Sequence, residues 1–133
     1  MRKFAHLQVD ALLRRLAAQL KRTAETADAE SVHDLRVAIR RLSRALRSFA
    51  QFLPGKHWKR IREELSYLMD AAAAVRDSDV ALELLEKAGV GERARVTVAV
   101  RSHRREAEAR LREELQLWQA RNFAHQWRES LGL

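Results

Sequence analysis

The chain has 133 residues, 33% of them charged and 47% apolar, and a formal net charge of +8. That length fits one domain able to bury roughly two-thirds of its unfolded surface, and the apolar share excludes a disordered chain. The absence of Cys excludes disulfides and thiolate metal ligands, and four Gly with one Pro are too few breakers for an all-β chain.

The opening stretch, MRKFAHLQVDALLRRLAAQL, reads as the first helix of a soluble protein. Its charges interrupt the apolar residues too often for a secretory segment or a membrane span, so no membrane partner is expected; an amphipathic transit peptide is the alternative reading of the same cues. The run TADAES at 26–31 then breaks the periodicity, with Ser31 as the expected N-cap of a second helix. Pro54-Gly55 ends that helix and Gly89-Val90-Gly91 ends a third. Four amphipathic pieces of similar length predict an all-α fold, an antiparallel four-helix bundle occupying residues 1–133 as one domain. Its expected core is Leu13, Leu16 and Leu20; Leu35, Ile39, Leu42 and Leu46; Ile61, Leu65, Leu68 and Ala72; Val96, Val100, Ala107, Leu111 and Trp118.

In the third helix the apolar series through Ala72 and Val75 places Asp79 next on the same face, with Arg76 beside it. Beyond Asp79 the apolar phase moves to Val80, Leu84, Leu85 and Ala88, which predicts either a kink at residues 76–79 or a fresh helix starting there. For Arg76 and Asp79 two readings stand together: an i, i+3 ion pair, and carboxylates that orient guanidinium groups toward a ligand.

The positive charge is concentrated in one segment. Residues 31–62 hold nine Lys or Arg and a single acid, Asp34, while the remainder of the chain is nearly balanced. At about 100° per residue, Arg36, Arg40, Arg44 and Arg47 fall in one narrow stripe led by His33, and Leu35, Ile39, Leu42, Leu46 and Phe49 occupy a separate sector. Arg41 lies to one side of the stripe. Cations at three- and four-residue steps repel one another, so an anionic partner is expected. Guanidinium forks match phosphate and carboxylate oxygens in pairs, and a row of them suits a row of phosphates, which favours a linear polyanion over a solvated face.

The run VHDLRVAIRRL, followed by Phe49, Leu53-Pro54 and VRDSDV at 75–80, resembles the CHAD domain, an all-helical family named for its histidine. The resemblance implies a helical bundle that binds inorganic polyphosphate through a basic channel or surface and performs no chemistry. His33, Arg36, Arg40 and Arg41 match the first part of the motif; Arg76, Asp77 and Asp79 match the second. Where the family commonly has RRLR this chain has RRLS, so Ser43 stands in an arginine position and Arg44 in that of a small residue. Family members usually contain two related four-helix halves about a pseudo-twofold axis; this chain resembles one half, which implies a homodimer.

The expected polyphosphate contacts are therefore His33, Arg36, Arg40, Arg41, Arg44, Arg47, Lys56, Arg76 and Arg104, with Asp77 and Asp79 orienting them. Lys56 follows the loop at the end of the stripe, and Arg104 borders the apolar seam of the fourth helix. His103 is expected on that seam as a core or interface histidine. Glu30 and His33 have the Glu-x-x-His spacing of di-iron bundles, but such sites need two motifs and further carboxylates, so no metal is expected. Trp58, Trp118 and Trp127 are expected in packing roles. With no phosphate loop or nucleophile motif, the sequence predicts a binder rather than an enzyme, without catalytic residues or cofactor. Nucleic acid and an acidic protein are the alternative partners, and the cytoplasm, at polyphosphate granules, is the expected location.

Overall fold

Five α-helices joined by short loops make up the chain, in a computed structural model that describes residues 1–133. They are α1 (Arg2–Glu25), α2 (Ala29–Ser48), α3 (Gly55–Lys87), α4 (Arg95–Ala120) and α5 (Phe123–Leu131), with a 3-10 turn at Ala50–Phe52. The fold is all-α, as the periodicity predicts. Helix α1 packs on α2 and α4, α2 on α3, and α3 on α4, so the four long helices close a ring. Short connections between consecutive helices make neighbours antiparallel.

Apolar side chains at three- and four-residue steps fill the centre. Leu13, Leu16 and Leu20 of α1, Leu35, Leu42 and Leu46 of α2, and Ile61, Leu65 and Leu68 of α3 are all almost wholly buried. Each such side chain removed from water contributes about 1.5–3 kcal/mol, which is what holds α2 with one face inward and the opposite face free. No helix is long and apolar enough to cross a membrane.

Several expectations are corrected. Asp28, not Ser31, caps α2: its backbone is extended, and its carboxylate accepts a hydrogen bond from the Ser31 amide at 2.9 Å. Ser31 lies inside the helix, buried, where its hydroxyl meets Thr23 Oγ1 at 3.0 Å and its carbonyl accepts from Gln19 Nε2 at 3.1 Å. Helix α3 passes through residues 76–79 unbroken, so no new helix starts there. Asp79 does lie on the core face, 8% exposed, and the continuing helix leaves Leu84 and Ala88 in solvent.

The fourth piece is two helices rather than one. Asn122 turns the chain with a left-handed φ of 52°, a conformation Asn tolerates better than most residues, and α5 folds back on the others. Trp118, Phe123 and Trp127 meet there with ring centroids 5.1–5.2 Å apart. Those two tryptophans are buried and Trp58 packs against the core, so all three serve in packing. In α4 the phase set by Leu111 and Trp118 steps back by sevens to Arg104 and Thr97. Thr97 is accordingly buried while Val96 is 50% exposed, Val100 is half-buried, and His103 faces solvent beside the seam.

Candidate anion-binding site

Helix α2 carries its core face inward, and the ridge opposite is made of cations. His33, Arg40, Arg41, Arg44 and Arg47 are exposed; Arg36 is half-buried, and its Nε is shielded from solvent without a hydrogen-bond partner. None of these six side chains takes part in an ion pair or a side-chain hydrogen bond. Their freedom follows from where the acids are. Asp10 holds Arg14 and Arg128, Glu64 holds Arg121, Glu92 holds Arg101, and Asp79 with Glu108 holds Arg104. Every pair leaves α2 aside.

Two grooves flank the ridge. Between α2 and α3 lies a groove of about 330 Å³ lined by Arg40, Arg44 and Arg62 with Ser43 and Ser66, over a floor that includes Leu65 and Met69, and with no acid in its wall. Between α1 and α2 lies one of about 280 Å³ with Arg15, Arg22 and Arg41 against the single acid Asp34, over Leu12, Val37 and Ala38. Arg40 and Arg44 of the stripe thus line the α3 side, and Arg41 the α1 side. Arg62 was not among the expected contacts: its Nε donates to Ser43 Oγ at 3.1 Å, so a guanidinium from α3 sits beside the serine of the basic run on α2. The sequence signal for it is a cation next to the core residue Ile61, opposite a serine in an otherwise basic run. Arg15, next to Leu16, carries the same signal for the second groove.

The second part of the motif has a different role from the one expected. Asp79 does not pair with Arg76; its Oδ1 accepts from Arg104 Nε at 3.0 Å across the α3–α4 contact. The same guanidinium donates through Nη1 to Glu108 and through Nη2 to the carbonyl of Ala27 at 2.6 Å. All three nitrogens of Arg104 are occupied, and its side chain is 17% exposed. Burial opposes its charge, but the hydrogen bonds and attraction of Asp79 and Glu108 outweigh that and raise its pKa above the ordinary arginine value. Arg104 is therefore a tie between helices rather than a free contact, and Asp79 orients Arg104 instead of the stripe. Because Ala27 precedes the Asp28 cap, the relay from Asp79 through Arg104 fixes where α2 begins. Arg112 adds to the tie by donating to the carbonyls of Ala24 and Glu25 at 3.3 and 2.6 Å.

The remaining expected residues are not drawn together. Arg76 is half-buried and unpaired, two heptads along α3 from Arg62 and hence on the same side of that helix. Asp77 is exposed and bonded to nothing, so it orients no cation. Lys56 is exposed in the first turn of α3, a turn that holds no acid and adds the positive end of the helix dipole to the field. No group of acidic residues and histidines is arranged to hold a metal ion.

Neither a curated protein nor a solved structure matches this chain. A family model does: the CHAD domain, over residues 7–132, a span that includes the ridge, both grooves and the Asp79 relay. The chain belongs to the CHAD domain family.

Proposed function

We propose that this protein binds inorganic polyphosphate without altering it, along the ridge of α2 and in the groove that α2 shares with α3. The observation that carries the reading is the set of unpaired guanidinium groups: Arg36, Arg40, Arg44 and Arg47 have no carboxylate partner, and Arg62 adds a cation to a groove without acid. Side chains that repel one another at three- and four-residue steps are stabilised by an anion that repeats along the same axis. Guanidinium forks bind phosphate oxygens in pairs, and neutralising a polyanion releases its counterions. Arg104 and Asp79 are left out of the contact set; they hold the start of α2 in place. The protein acts as a binder and not as an enzyme, as a homodimer that joins two such surfaces, in the cytoplasm where polyphosphate accumulates.

Competition binding tests the ligand. Labelled polyphosphate is loaded at fixed salt and challenged with duplex DNA, single-stranded DNA and an acidic polypeptide at equal charge concentration. Polyphosphate is expected to resist all three, because the ridge carries no aromatic platform for bases and no apolar anchor for a helix. Displacement by DNA at equal charge would assign the surface to nucleic acid instead.

A further inference from the structure

A ladder of carboxylates runs along α3 beyond the basic ridge. Asp79, Glu83 and Glu86 succeed one another at four- and three-residue steps and line a single cleft of about 470 Å³ between the end of α3, the following loop and the start of α4. The helix rise separates them by about 6 and about 4.5 Å along the axis. Glu83 and Glu86 are exposed, and neither takes part in an ion pair. Like charges at this spacing destabilise a helix; Arg104 balances Asp79 at one end, and Glu83 and Glu86 are left without an ion-pair partner.

Two buried polar atoms bordering the same cleft have no partner in the protein: Oδ2 of Asp79, whose other oxygen holds Arg104, and Oγ1 of Thr97. Asp79 is 8% exposed and Thr97 only 3%, so both acceptors lie deep. Two cations lie nearby, and Arg101, itself part of the cleft lining, is attracted by Glu86. Arg101 is turned to Glu92 through two contacts of 2.8 Å, and Arg104 is committed to its relay. Leu82, Leu85 and Val90 give the cleft an apolar wall. No three acids are grouped closely enough to hold a metal ion; carboxylates stepped along a helix suit a cation whose charges are spaced along a chain.

We propose that this cleft binds a linear aliphatic polyamine. Its ammonium groups fall at the steps of the carboxylate ladder, its methylenes lie on the leucine wall, and the deepest ammonium donates to Asp79 Oδ2 and Thr97 Oγ1. The inference stands apart from the polyanion reading, since it uses the opposite charge at another part of the molecule. Spermidine titrated into the full chain by calorimetry, with no polyanion present and at constant ionic strength, tests it. The wild type is expected to bind saturably at one site. The Glu83→Gln/Glu86→Gln variant, both positions being exposed, is expected to keep its circular dichroism spectrum and lose at least tenfold in affinity; Thr97→Val is expected to lose a few-fold. Unsaturable heats, undiminished binding by the double variant, or an equal response to magnesium chloride would each overturn the proposal.

Discussion

At the scale of single residues, the arginines of this chain divide by what their nitrogens meet. Arg104 has a carboxylate or carbonyl at each nitrogen, and removing it leaves Asp79 as a buried charge without its partner. Arg104→Ala is therefore expected to lower unfolding free energy by about 3 kcal/mol, read by urea denaturation. Arg40 meets nothing, and Arg36 and Arg44 repel it from one turn away on either side. Arg40→Gln is expected to leave stability unchanged or raise it by a few tenths of a kcal/mol while weakening polyphosphate binding. Only the first of the two substitutions should thus lower stability. Arg62 stands between these cases, since Ser43 steers it without neutralising it. Ser43→Ala is expected to keep the fold and weaken binding less than Arg62→Ala does.

At the scale of elements, periodicity made the four long helices legible, because their apolar residues recur at three and four in long series. It failed where a polar residue took a core-facing step. Thr97 and Arg104 occupy the inward phase of α4, so a seam drawn through the apolar residues alone runs through Val96 and carries His103 with it, each one position off. Helix α5 went unseen because its boundary is a single left-handed Asn122, with no Gly or Pro to mark it. Asn122→Val is expected to cost about 1–2 kcal/mol, since a β-branched residue resists that conformation, and Asn122→Gly is expected to be tolerated; thermal unfolding of the two variants checks this. The stripe on α2 was legible because it needs only one helix and its angular spacing. Partners across helices were not: Arg62 beside Ser43, and Arg104 in place of Arg76 beside Asp79, depend on packing angles and register that one strand of sequence does not specify.

At the scale of the whole molecule, charge is segregated. The ridge and its grooves are basic, and the cleft at the far end of α3 is lined by four acids and one arginine, Arg101. A surface that binds mainly by counterion release predicts affinity that falls steeply with salt, with a shallower dependence when ridge arginines are removed. The proposed homodimer predicts twice the chain mass by light scattering at micromolar concentration; a monomer that still binds polyphosphate tightly would remove the dimer from the account. The most direct test of the central claim is the affinity of Arg36→Glu/Arg40→Glu for labelled polyphosphate, measured beside its circular dichroism spectrum. Full helicity with binding abolished is the predicted result. Full helicity with affinity close to that of the wild type would contradict it, because the cations of α2 would then be a solvated face and nothing more.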